Sequence, residues 1–188
     1  HARALRSLFP NARIQMVKRS SSVQPMHMLD GENIEIVHDV DAALTMHPDM
    51  VVVASPATLH AGDVLATLPY CQKILIEKPL AQNLTDADLL LEALQKYSGS
   101  ILVGYHLRFS ETPRKLLELC SDGSLGEMLS ASFGYGQHLS LWRKEIDARN
   151  SVTARADLGG GVLLELSHEI DAIDMLVGQL SSCGILRT

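Results

Sequence analysis

The chain has 188 residues, 46% of them hydrophobic and 20% charged, with a net charge of −6. That composition supports a packed core and argues against disorder. The mild, dispersed negative charge lacks the clustered Lys and Arg of a nucleic-acid footprint, and apolar runs such as Met50 to Ala54 are too short to cross a bilayer.

Residues His1 to Phe9 read as the tail of a helix with Leu5, Leu8 and Phe9 as its apolar positions, stopped by Pro10 and Asn11. Ile14 to Lys18 reads as a short strand, Met26 to Leu29 as a possible helix, Ile34 to Val37 as a strand and Asp41 to Met46 as a short helix. Met50 to Ala54 is a β-branched run of the kind buried on both faces of a sheet. Thr58 to Leu68 is helical, and Lys73 to Ile76 is the next strand. The Thr85 to Asp88 stretch looks like a capping box opening a helix that runs to about Tyr97, and Ile101 to Gly104 follows as a strand. Strands alternating with helices predict βαβ units and a doubly wound parallel sheet. From Glu127 the character changes. Met128 to Tyr135 reads as a strand of a second sheet, so the expected division is a dinucleotide-binding domain over 1–126 and the start of an α+β substrate domain over 127–188.

Cys71, Cys120 and Cys183 are scattered and form no Cys-x-x-Cys pair, which favours a reducing cytoplasm over a disulfide-built secreted fold. No signal peptide is visible, and the chain opens on His1 rather than methionine, which leaves room for a segment ahead of it.

Ligands of an open parallel sheet bind beyond the carboxyl ends of its strands. There the sequence places Lys18-Arg19-Ser20, then Ser55-Pro56 with His60, then Glu77-Lys78-Pro79, then Tyr105 to Arg108. In a dinucleotide fold an acid at the end of the second strand binds a free ribose hydroxyl and an Arg accommodates a 2′-phosphate. Lys18 and Arg19 stand at that point with no acid beside them, a bias towards NADP. His60 alone reads as an ordinary helix residue. Pro79 restricts the residue before it, so Lys78 is held in a set direction. Further on, Gly159-Gly160-Gly161 permits close backbone approach. The helix after it carries an apolar stripe at Leu166, Ile170, Ile173 and Val177, with Glu165 and His168 as neighbours on another face. No His-Glu-x-x-His, zinc-finger spacing, Gly-x-Ser-x-Gly elbow or Gly-x-x-x-x-Gly-Lys-[Ser/Thr] loop is present, and no metal is expected.

The stretches Leu75 to Ala81, Val103 to Phe109 and Gly159 to Asp171, in that order, resemble the Gfo/Idh/MocA oxidoreductases. The resemblance implies a Rossmann-like domain and hydride transfer between NADP or NAD and a CH–OH group of a sugar or cyclitol. It assigns Lys78 and His168 to the nicotinamide and the reacting carbon, and it implies a cis Lys78–Pro79 bond. Glu165 or Asp171 would orient His168. Many members carry an aspartate four residues before that histidine, where Leu164 stands here. Trp142-Arg143 and Arg149 are similar to a subgroup linked to surface-polysaccharide and sialic-acid-like pathways, although Ala148 replaces a frequent tyrosine. With Arg108 and Asp171 these are the candidate substrate contacts.

The family opens on a strand and a Gly-x-Gly-x-x-Gly loop, and closes on a large antiparallel sheet. The chain is therefore expected to be a piece of a longer protein, inactive by itself. The parent is expected to be a homo-oligomer with a small sugar-like substrate and no nucleic-acid or membrane partner. The alternatives are a non-catalytic dinucleotide-binding or regulatory module and a redox-assisted glycoside hydrolase.

Overall fold

The computed structural model describes residues 1–19, 33–142, 151–155, 158–178, 182 and 184. The helix expected near Met26 to Leu29 lies outside the described residues. In chain order the elements are α1 (Ala2–Leu8), β1 (Ile14–Val17), β2 (Ile34–Val37), α2 (Val40–Leu44), β3 (Val51–Val53), α3 (Ala57–Thr67), β4 (Lys73–Ile76), α4 (Leu84–Leu94) and β5 (Ser100–Val103). A 3-10 turn (His106–Phe109), α5 (Glu111–Ser121), α6 (Leu139–Trp142), α7 (Val162–Glu165) and α8 (Ser167–Val177) follow, with a second 3-10 turn at Val152–Ala154.

Every strand pairing is parallel, as the alternating pattern predicts. The strands fall into two sheets, β1–β2 and β3–β4–β5, rather than one. Being at the edge of its sheet, β3 is less covered than its apolar run suggests. Val53 is buried, Val51 and Val52 are half-buried, and Met50 is exposed. The central strand β4 supplies Ile74 and Ile76 to the core instead.

Helix α3 turns one stripe inward, Ala57, His60, Ala61, Val64 and Thr67, at the spacing of a helix with one apolar face. Val64 meets Val53, Ile74, Ile76, Cys71 and Leu90 in the main core. Helix α4 starts two residues before the expected box. The Asn83 side chain accepts from the Asp86 backbone N–H at 2.8 Å and donates to the Asp86 carboxylate at 3.0 Å. Asn is as good an N-cap as Thr, and here its side-chain amide, in place of the N-cap backbone N–H of a capping box, donates back to Asp86. At the other end of the chain's first helix, Arg6 gathers the Pro10, Ala12 and Asn33 carbonyls, which holds the α1 exit against the approach to β2.

Two expectations are corrected beyond residue 126. Met128 to Tyr135 forms no strand, because among the described residues nothing pairs with it, and a strand exists only through its ladder. Leu129 is left 89% exposed. The continuous helix expected after the glycines is broken at Leu166 (φ −98°, ψ 25°), which separates α7 from α8. The stripe on α8 is only partly used, since Ile170 and Val177 remain exposed. Helix α8 packs on α5 and on the His106–Phe109 turn, so this later segment lies against the sheet-forming part of the chain. Among the described residues, no helix is long and apolar enough to cross a membrane.

Leu90 has no exposed surface and fills the space between α4 and the sheet. Leu90→Ala is expected to lower stability by about 2–5 kcal/mol. Removal of the cap in Asn83→Ala is expected to cost about 0.5–2 kcal/mol. Urea denaturation of the two variants measures both, and equal losses would count against this placement of the core.

Candidate functional site

The carboxyl ends of β3, β4 and β5 gather the polar residues. The Glu77 N–H donates to the Val53 carbonyl at 2.8 Å and the Gly104 N–H to the Ile76 carbonyl at 2.7 Å, which carries the sheet pairing one step past the strands. Gly104 also makes room for Glu77. A Cβ there would stand 3.2 Å from the Glu77 carboxylate, tighter than ordinary contact. Glu77 is thereby held close to its strand end, accepting from the Lys78 N–H at 3.1 Å and facing a His1 ring nitrogen at 2.6 Å. The Lys78–Pro79 bond is cis, as the resemblance implies.

His60 is almost fully buried, and its two ring nitrogens meet the Pro79 carbonyl and the Ser55 carbonyl, each at 2.8 Å. It ties the β3-end loop to the β4-end loop, with both ring nitrogens facing main-chain carbonyls.

From this platform Lys78 reaches away from the sheet. Its Nζ donates to the Glu165 main-chain carbonyl at 2.9 Å, and the Glu165 carboxylate stands 3.7 Å away. Both side chains are largely shielded from solvent. The break at Leu166 makes this bond available. The Glu169 N–H turns to the Leu166 carbonyl, so the Glu165 carbonyl at the end of α7 is left for Lys78. Of the three glycines, Gly159 is the one that is buried. Gly159 has φ +80°, and a Cβ on it would come 2.9 Å from the Ala57 Cβ at the start of α3.

His168 opens α8 beside the same lysine. Burial lowers its pKa from the ordinary histidine value, and the positive charges available to His106 and Lys78 lower it further against the opposing pull of Glu169 and Asp171. Its Nδ1 is buried with no hydrogen-bond partner among the described residues. The expected orienting carboxylates are engaged elsewhere, Glu165 with Lys78 and Asp171 with Arg108. Arg108 donates to both Asp171 oxygens, at 2.9 and 2.8 Å, and to Asp174 at 3.3 Å. These two candidate substrate contacts pair with each other, and the fork braces the β5-end turn against α8. Trp142 ends α6, while Ser20, Arg143 and Arg149 lie outside the described residues.

At the end of β1 the Lys18 main chain is fixed by Val37 and His38. The Arg19 guanidinium is not alone. It donates to Asp63 on α3 at 2.9 Å, and the Ser55 hydroxyl donates to the same carboxylate at 2.6 Å. This corrects the expectation that no acid stands there. The pair comes from positions 44 apart, with no local signal in the sequence. Burial would raise the Asp63 carboxyl, but the bonds from Arg19 and Ser55 more than offset it and hold it below its usual range.

A nicotinamide dinucleotide can be tested against these residues. The buried Nδ1 of His168, the shielded Lys78 ammonium and the cationic end of β1 fit its nicotinamide and adenosine-ribose ends. No Gly-x-Gly-x-x-Gly occurs in the chain for its pyrophosphate. Among the described residues no group of His, Cys, Asp and Glu is placed to hold a metal.

Comparison with known proteins gives the same picture. The family model described as "Oxidoreductase family, NAD-binding Rossmann fold" (GFO_IDH_MocA) matches residues 1–105. An inositol 2-dehydrogenase of Streptomyces avermitilis is 27% identical over all of this chain and 52% of its own length. A 2,7-anhydro-N-acetylneuraminate hydratase of Mediterraneibacter gnavus is 24% identical over 87% of this chain and 45% of its own. Among solved structures, the 3-ketoreductase KijD10 of Actinomadura kijaniata, in complex with NADP and TDP-benzene, superposes with a TM-score of 0.73. It is 22% identical, over 94% of this chain and 53% of that one, and shares the fold. The chain spans about half or less of the length of the curated relatives it matches.

The fold favours the charged form of Asp63, so its contribution to stability is present above the ordinary carboxylate range and is lost as pH falls through the lowered folded-state value. Arg19 is partly exposed, which limits the magnitude. Asp63→Asn is expected to cost about 1 kcal/mol near neutral pH. The difference from the wild type should close as the pH is taken into the acid range in a series of urea titrations. A gap of constant size would show that the carboxylate is not held by Arg19.

Proposed function

The chain belongs to the Gfo/Idh/MocA oxidoreductase family, and we propose that the whole protein is an NAD(P)-dependent dehydrogenase or reductase acting on a CH–OH group of a sugar or cyclitol. The observation that carries this reading is the meeting of Lys78 with the α7–α8 segment. A shielded ammonium sits on the Glu165 carbonyl, and a histidine that disfavours protonation stands beside it. A purely dinucleotide-binding module needs neither group. The inositol 2-dehydrogenase among its relatives supports this substrate class.

A nicotinamide, when bound, would supply the two-electron acceptor for the hydride of a CH–OH carbon; Lys78 and His168 would stand at its nicotinamide end, and the O–H proton would pass to a base of this chain. His168 is suited to be that base because its lowered pKa leaves a ring nitrogen unprotonated at neutral pH. Lys78 donates hydrogen bonds to the oxygen as negative charge develops on it, and its ammonium makes protonation of His168 less favourable until that charge appears. Glu165 neutralises Lys78 in the resting site and keeps it within reach. The reduction of a ketone runs the same steps backwards.

The cofactor preference is NADP over NAD. Lys18 and Arg19 follow β1, where a dinucleotide fold meets the 2′-phosphate, and of the five N–H donors of a guanidinium the pair with Asp63 takes two. Hydrogen bonds to charged groups contribute about 1.5–3 kcal/mol, so binding of NADPH roughly tenfold or more tighter than NADH is expected by fluorescence titration of the whole protein. Equal or reversed affinity would remove this role from the two residues.

The reaction is tested by following NADPH absorbance across a panel of sugars and cyclitols and their keto forms. Lys78→Ala is expected to lower kcat by about 10²–10⁴-fold, with a much smaller change in cofactor affinity. A variant that stays folded and keeps its kcat would take Lys78 out of the chemistry. Release of a free aglycone, without net change in absorbance, would point to redox-assisted glycoside cleavage instead.

A further inference from the structure

His106 has no part in the set formed by Lys78, Glu165 and His168, yet it is the nearest ring to His168. The centroids are 4.5 Å apart and the planes stand at 76°, an edge-to-face contact. Tyr105 covers His168 from a second direction, its ring 5.7 Å away and nearly perpendicular. Both come from the turn that follows β5, and Arg108 of the same turn is forked onto Asp171 of α8. The turn and the helix are therefore fixed to each other by an ion pair on one side and by two ring contacts on the other. The three expected partners of His168 are absent, since position 164 is leucine, Glu165 is on Lys78 and Asp171 is on Arg108.

We propose that His106 is a positioning residue for the reaction at His168. It holds the imidazole edge-on from the turn after β5, and a positive charge on it opposes a second one on His168, so that His168 stays unprotonated and able to accept a proton. The proposal rests on the oxidoreductase reading for its purpose, but not for its geometry. A carboxylate partner would raise the proton affinity of the base, whereas a second imidazole lowers it as the pH falls. The observed direction agrees, with burial first and His106 second among the causes that lower the His168 pKa.

The other charged groups around His168 are accounted for. Lys78 acts on it from the β4-end loop, and Glu169 and Asp171 act from its own helix in the opposite sense. Glu165 of α7 is paired with Lys78, and Asp174 with Arg108. Helix α5, which packs on the same helix, carries Glu111, Arg114, Lys115 and Glu118, the last two paired with each other. None of these changes when His106 is replaced, so the replacement isolates one interaction.

The test compares the wild type with His106→Phe, which keeps a ring in place, and with His106→Gln, which keeps a polar side chain. Proton NMR titration of the imidazole C–H signals in the full chain reads the midpoint of His168 directly, without cofactor or turnover. Both variants are expected to move that midpoint to higher pH. In the whole protein, the acid limb of kcat/KM for substrate oxidation should move the same way, so that activity at about pH 6 falls relative to activity at about pH 8. Phe should keep more of the kcat at the higher pH than Gln, because it preserves the edge-on contact. A purely structural role predicts a uniform loss at all pH values, and that result, or a His168 midpoint that stays put in both variants, overturns the proposal. A wild-type whole protein with no nicotinamide-dependent activity would overturn the oxidoreductase reading instead, and the titration tells the two failures apart.

Discussion

The Lys78 ammonium is held by the main-chain carbonyl of Glu165, 87 positions further along the chain. A shielded charge of this kind is tolerated only where donors and acceptors are supplied on the spot. Here the supply comes from two sides. The sheet fixes where Lys78 starts, through the Val53 and Ile76 carbonyls and the His60 tie across to Ser55. The break at Leu166 fixes where it ends. Remove either and the lysine still has an exposed side of the sheet to wander over, but no reason to point at His168.

Two further devices keep those halves together. Gly159 lets the glycine run close onto the start of α3, a contact that any side chain would push apart. The fork of Arg108 on Asp171 closes the other side. Bidentate pairs of this sort add geometric specificity as well as energy, which suits a brace better than a surface pair would. Between the glycine contact and the fork, helix α8 has little freedom to slide, so the rings of Tyr105 and His106 meet His168 at defined angles.

Much of this was readable in the order of residues, and the failures have physical causes. The βαβ alternation and the Glu77-Lys78-Pro79 corner are local signals, since strand runs and a proline restrict the backbone within a few residues. The later helix was legible as apolar spacing, but its break at Leu166 was not, because Leu is a good helix former and no glycine or proline marks the place. Met128 to Tyr135 has the alternation of a strand and, among the described residues, no strand to pair with, a condition that no property of the segment itself reveals. Asp63 carries no signal of its own in the sequence, and only the fold brings it to Arg19. Arg108 and Asp171 both looked available for a substrate because each was read alone. Two opposite charges from separate elements are more readily explained by each other once they share a surface.

The contact between Lys78 and the Glu165 carbonyl has a bearing on how this site tolerates change. A bond to main chain does not depend on which side chain position 165 carries. Exchange of the carboxylate for glutamine removes the counter-charge but leaves the carbonyl in place, whereas an insertion or deletion that heals the Leu166 break returns the carbonyl to the helix and releases the lysine. The locus is thus robust to substitution and fragile to length. Variation among natural copies of this segment should accordingly be plentiful in identity and scarce in spacing, and the count of residues from Gly159 to His168 carries more information than any one of the letters between them.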